Sequence, residues 1–257
     1  MTPIFDTHAH YDDEAFDMDR DELLRELPKQ GIAKVVNIGA SLASCQKTME
    51  LMNQYDDIYG ALGIHPSETE ELTEQSFEWL RAQCRQEKCL AVGEIGLDYH
   101  WDEPERSLQQ KWFARQLNLA RELSLPVVIH SRDAAKDTVD IMTAEKASEI
   151  GGVIHCFAYT KETAKIFLDM GFYMGIGGVL TFKNAKKLKE AAEYIPLERI
   201  VLETDCPYLA PEPNRGRRNS SLNLPYVVKA LADIKGITEE EVRQAAWKNS
   251  HELYRMK

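Results

Sequence analysis

At 257 residues, with 44% hydrophobic and 28% charged side chains, the chain is too long for a disulfide-stapled miniprotein and too apolar to stay disordered. Its 31 basic and 42 acidic residues leave a net charge of -11, which excludes a global positive field for holding nucleic acid or anionic membrane. Any chemistry on phosphate must therefore be local or metal-mediated. Five scattered cysteines (Cys45, Cys84, Cys89, Cys156, Cys206) without a C-x-x-C pair argue against a disulfide framework or a thiolate zinc cluster, and for a reducing compartment. The opening residues carry no basic and apolar leader, and no run approaches the roughly 20 apolar residues of a membrane helix, so a full-length cytoplasmic protein with no membrane partner is expected.

In chain order, short apolar runs alternate with stretches of helix length. Pro3–Thr7 leads to Asp19–Lys29, Ala33–Gly39 to Ser41–Tyr55, Ile58–Ile64 to Gln75–Gln86, and Cys89–Ile95 to Pro104–Ser124. Pro126–Ile129 leads to Asp133–Glu145, Gly151–Ile154 to Lys161–Met170, and Phe172–Gly177 to Asn184–Tyr194. The eighth run, Arg199–Thr204, reaches Pro225–Lys235 only across a long loop, Cys206–Leu224, that contains three prolines; loops of that length are usually functional or disordered. Thr238 and Glu241 then form a capping box that starts a final helix. Eight buried strands alternating with helices predict an α/β fold, a (β/α)8 TIM barrel, as one domain spanning residues 1–257. The rival doubly wound sheet lacks its G-x-G-x-x-G turn, since His8-Ala9-His10 follows the first strand.

The active site of such a barrel lies at the C-terminal ends of its strands. The polar residues there are His8 and His10 after the first run, His65 after the third, Glu94 in the fourth, His130 after the fifth, His155 after the sixth and Asp205 after the eighth. His8 and His10 share one side of an extended segment, so both can reach one cation. The set His8, His10, Glu94, His130, His155 and Asp205 offers nitrogen and carboxylate ligands without thiolates, which suits zinc, manganese, magnesium or a mixed pair. Six ligands exceed the need of one tetrahedral ion with an open position, so two divalent cations about 3.5–4 Å apart, sharing Glu94, are expected to hold a hydroxide and stabilise a leaving oxygen. Asp205 could both ligate and take the proton of the attacking water, making Asp205 and Glu94 the catalytic pair.

Six segments, Asp6–His10, Gly63–Pro66, Gly93–Tyr99, Ile129–Ala134, His155–Phe157 and Glu203–Leu209, together resemble the TatD family of metal-dependent deoxyribonucleases, in order and over nearly the whole chain. The resemblance implies an amidohydrolase-type barrel, divalent metals and hydrolysis of DNA phosphodiesters. It carries ligand roles onto the same six residues, and phosphate or substrate contacts onto His65, Arg132 and the segment Arg215-Gly216-Arg217-Arg218-Asn219. Ser67 stands where many members have a second histidine, and Ser220-Ser221 stand in place of an acidic residue and proline; both departures bear on substrate preference, not on metal binding.

Simpler readings compete at several positions. Asp98 and Tyr99 could merely order a loop, and His100 and Trp101 could either stack on a base or pack against a neighbouring loop. Glu203 could tune a ligand or pair with a loop arginine, while Cys156 and Cys206 read as buried small hydrophobes. Arg215, Arg217 and Arg218 suit phosphate oxygens or a solvated loop, whereas Lys183, Lys186, Lys187 and Lys189 read as a solvated helix face. The expected function is a metal-dependent nuclease acting on DNA. The alternatives are a hydrolase of a small amide, lactone or phosphoester, and a non-catalytic metal-containing binding protein.

Overall fold

The computed structural model describes residues 1–101 and 103–256. Eight parallel strands pair in sequence order: β1 (Ile4–Ala9), β2 (Ile32–Ile38), β3 (Ile58–Leu62), β4 (Cys89–Asp98), β5 (Val127–Arg132), β6 (Gly152–Ile154), β7 (Tyr173–Ile176) and β8 (Ile200–Leu202). Around them lie α1 (Arg20–Glu26), α2 (Leu42–Gln54), α3 (Glu74–Gln83), α4 (Arg106–Leu123), α5 (Ala135–Ala144), α6 (Lys161–Asp169), α7 (Lys186–Tyr194), α8 (Leu224–Lys235) and α9 (Glu239–Leu253). The predicted alternation is therefore observed, and no described helix is long and apolar enough to cross a membrane. Thr238 caps α9 through the expected reciprocal box with Glu241.

Phe5, Val36, Ala61, Ala91, Val128, Val153, Tyr173 and Val201, one from each strand, form a single buried cluster closed by Leu253 and Tyr254 at the end of α9. This fills the N-terminal half of the barrel, leaving polar groups to the other end. Counting by twos from that layer, His130, His155 and Asp205 point inward as alternation requires. His8 and Glu94 fall out of phase with Phe5 and Ala91. Register shifts between Asp6 and Ala9 and between Val92 and Ile95 lie at those two residues and re-aim their side chains.

The strands differ from the apolar runs mainly at their ends. β1 and β4 continue through polar residues to Ala9 and Asp98, because those polar groups are buried and still pair in the sheet. β8 stops at Leu202, and Asp205 takes a left-handed backbone with φ of 57°. Gly96 is a requirement of packing: it pairs with His130, its φ is 144°, and a Cβ there would lie 1.9 Å from the His130 carbonyl oxygen. We predict that Gly96→Ala costs about 3 kcal/mol or more, lowering Tm by roughly 6–12 °C in thermal unfolding. A wild-type Tm would show that β4 and β5 separate there without strain.

Candidate metal centre

The barrel closes between β1 and the segment after β8, and that seam delivers three of the expected ligands. Asp205 N donates to the His8 carbonyl at 2.9 Å and His10 N donates to the Cys206 carbonyl at 2.8 Å. Beneath the seam, buried Asp6 accepts from the Thr204 hydroxyl at 2.7 Å and from the Ser221 hydroxyl at 2.6 Å. Burial pushes the Asp6 carboxyl up to about 7, against these hydrogen bonds, which lower it. Ser221 also bonds the Tyr11 phenol at 2.8 Å, so the loop after β8 is tied to β1 and the residues just after it.

Glu94 lies at the centre of the polar cluster. Its Oε2 faces His8 Nε2 at 3.5 Å and His10 Nε2 at 3.9 Å. Its Oε1 faces His130 Nδ1 at 2.8 Å and His155 Nε2 at 2.9 Å. Asp205 Oδ1 completes the first side, 3.6 Å from His8 Nε2 and 3.4 Å from His10 Nε2. All six expected ligands thus converge, in overlapping groups whose donor atoms lie within 4.8 Å of one another: His8, His10 and Glu94; His8, His155 and Asp205; and Glu94, His130 and His155.

The chemistry of this donor set fits divalent cations. Among the described residues, the only ion-pair partners of Glu94 and Asp205 are imidazoles, with no lysine or arginine to neutralise them. The Nε2 atoms of His8 and His10 lie 3.1 Å apart. His10 Nδ1 donates to the Ile38 carbonyl at 3.0 Å, which leaves its Nε2 lone pair free for a cation. Burial alone would raise the Glu94 carboxyl, but His155, His130 and His8 hold it well below the usual range. Burial likewise opposes protonation of His10, yet Asp205 and Glu94 lift it to about 9. Protons therefore stand where cations would sit.

His65 is different. Its Nδ1 accepts from Ser67 N at 3.1 Å, so in the neutral ring the proton is on Nε2, which lies 3.8 Å from Glu94 Oε1. Burial and the neighbouring His130 lower His65 to about 3, keeping that ring neutral. It is a hydrogen-bond donor at the mouth, set in place by the backbone amide of Ser67. Asp98, weighed above as a loop residue, ends β4 and contacts His130 Nε2 at 2.9 Å through Oδ2. Glu203 is buried, accepts from Cys156 N at 2.5 Å and approaches His155 Nδ1 at 3.6 Å, so it faces a ligand and not a loop arginine. Asp98 carries no signal beyond its place in the motif, whereas Glu203, two residues before Asp205, is expected on the same side of an extended segment.

A cleft of about 720 Å³ opens over these residues and is also lined by Arg132, Trp101 and Tyr208. The loop arginines separate. Arg215 stacks 4.2 Å from the Phe182 ring, Arg218 is paired with Asp19, and Arg217 lies with Tyr208 along an adjoining groove. Asn219, expected at the substrate, is wholly buried: its Nδ2 donates to the carbonyls of Thr204 and Tyr208, and its Oδ1 accepts from Asn223. It braces the loop because its amide is fully used inside. Cys206 is buried as expected, whereas Cys156 is partly exposed, its backbone turned to φ of 45° at the end of β6.

Two outcomes follow. Metal affinity should strengthen as pH rises from about 6 to 9, because a cation must displace the proton that its carboxylate neighbours hold on His10 up to about 9; competition with a chelator at three pH values measures it, and a flat profile would deny the competition. Asp98→Asn should lower metal affinity or turnover by about 10- to 100-fold at unchanged Tm, by loosening His130.

Comparison with known proteins bears on the fold and the family. The TatD related DNase family matches residues 5–255. The chain is 40% identical over 253 residues to the uncharacterized metal-dependent hydrolase YabD of Bacillus subtilis (strain 168), covering 98% of this chain and 99% of that one. It is 35% identical over 254 residues to the uncharacterized metal-dependent hydrolase YcfH of Escherichia coli (strain K12), covering 98% and 95%. The crystal structure of YJJV, a TatD homolog from Escherichia coli K12, superposes with a TM-score of 0.93 at 29% identity, covering 99% of this chain and 98% of that one. With the family matched over nearly the whole chain and the barrel superposing on a TatD homolog, the chain belongs to the TatD related DNase family.

Proposed function

We propose that this TatD-family hydrolase cleaves DNA phosphodiester bonds with two divalent cations, drawn from magnesium, manganese or zinc. The observation that carries the reading is the division of Glu94, whose two oxygens face different groups of imidazoles. His8, His10 and Asp205 would hold one cation with Glu94, and His130 and His155 the other. Cations in these places supply polarisation of a phosphoryl oxygen and acidification of water.

The chain's own residues do the rest. Asp205 has a side chain 18% exposed, against 4% for Glu94, so it can meet the attacking water and take its proton. The His65 Nε2–H is placed to donate to a phosphate oxygen, and Arg132 on the cleft wall offers a fork for the same group. The family name supports DNA as substrate. Asp12, Asp13 and Glu68, also on the cleft, favour a second reading in which the substrate is a small ester or amide.

Metal-stripped protein is expected to be inactive and to recover when magnesium, manganese or zinc is added back. Single-stranded DNA, duplex DNA, RNA and a small phosphodiester, assayed side by side, separate the two readings: turnover of the small ester alone would support the second. Glu94→Ala should cost more activity than replacing His8 or His10 singly, since it removes a ligand from both groups. Metal analysis finding two ions still bound in the Glu94→Ala protein would remove the shared-carboxylate role.

A further inference from the structure

Two aromatic side chains at the mouth have no part in the chemistry above. Trp101 is 62% exposed and Tyr208 is 54% exposed, although both are large and apolar in the main. Both line the cleft that holds Glu94, His130, His155 and Asp205. Trp101 follows β4 and Tyr208 follows β8, and in a ring of eight strands paired in sequence order those two strands are four places apart. The rings therefore rise from opposite sides of the mouth, with the ligand cluster between them.

Each ring is anchored at one edge. The Tyr208 hydroxyl donates to Asp13 Oδ2 at 2.8 Å, and Tyr208 N donates to the Asp205 carbonyl at 2.9 Å, three residues from a ligand. The Trp101 ring meets His100 edge-on at 4.7 Å, and His100 Nδ1 lies 3.4 Å from Asp133 Oδ2. Anchored rings with exposed surfaces lose little freedom on binding a planar partner, and a base offers such a partner whatever its sequence. Beyond Tyr208 the cleft continues into a groove with Arg217, the one residue of the arginine cluster that lines it without an ion pair among the described residues.

We propose that Trp101 and Tyr208 clamp the two nucleobases flanking the scissile phosphate and so determine how the substrate strand is held. This rests on the nuclease reading. Paired bases in a duplex hide their faces in the stack, so an intact duplex cannot enter such a clamp without being opened. The clamp also answers the net charge of -11: stacking, unlike counterion release, draws nothing from a positive surface.

The test compares the metal-loaded wild type with Trp101→Leu, Tyr208→Leu, Trp101→Phe and Tyr208→Phe on a single-stranded DNA oligonucleotide and on the same strand with abasic terminal positions. Each leucine variant should raise KM for the base-bearing strand by about 10-fold, with little change on the abasic strand, and each phenylalanine variant should stay near wild type. Intrinsic fluorescence should be quenched by the base-bearing strand in the wild type and not in Trp101→Leu. Hydrolysis of DNA by the wild type with unchanged KM and undiminished quenching in the leucine variants would overturn the clamp alone. Hydrolysis of a small phosphodiester but of no oligonucleotide, with no quenching, would overturn the nuclease reading and the clamp with it.

Discussion

A parallel sheet becomes a barrel only when its first and last strands pair, and in this chain that pairing runs through the residues that build the site. β8 is only Ile200–Leu202, so closure is completed by Asp205 and Cys206 bonding to the backbone of His8 and His10. Asp6 lies under the seam and gathers the hydroxyls of Thr204 and Ser221. Three candidate ligands from opposite ends of the sequence thus share one hydrogen-bonded strip. Rigid placement follows from closure itself, since no ligand on the seam can shift without opening the barrel.

The second constraint is electrostatic. Glu94 and Asp205 sit in low-dielectric surroundings with only imidazoles as charged partners among the described residues. Buried carboxylates are stable only when compensated, so the cluster binds protons or cations and the two compete. Ring orientation is controlled from outside the cluster: the Ile38 carbonyl frees His10 Nε2, Asp98 steadies His130, and the backbone amide of Ser67 turns His65 into a donor. Ser221, bonded to Asp6 and Tyr11, ties the loop after β8 to the same support.

The loop after β8 shows how a charge pattern is resolved by packing. Four neighbouring polar residues, Arg215, Arg217, Arg218 and Asn219, look alike as phosphate contacts in sequence. In space Arg215 covers Phe182, Arg218 is neutralised by Asp19, and Asn219 is buried as a brace. Arg217 and Arg218 both line a groove with Tyr208, and of the two only Arg217 has no ion pair among the described residues. Charge in sequence says which groups can bind phosphate; the neighbours decide which are free to do so.

By itself the sequence determined the alternation of eight apolar runs with helices, and hence the barrel, because burial on both faces of a parallel strand leaves a near-continuous apolar signature. It also determined the six candidate ligands, because polar residues that end buried strands have few other reasons to be there. What only the tertiary structure decided is direction. Alternation from Phe5 and Ala91 sends His8 and Glu94 outward, and two register shifts bring them in. Trp101 reads equally well as packing or as a stacking surface until its neighbours are known, as does Asp98 as a loop residue or a partner of His130. A strand's period is local and legible along the chain, whereas a bulge, an ion pair or an open ring face depends on what another segment places beside it.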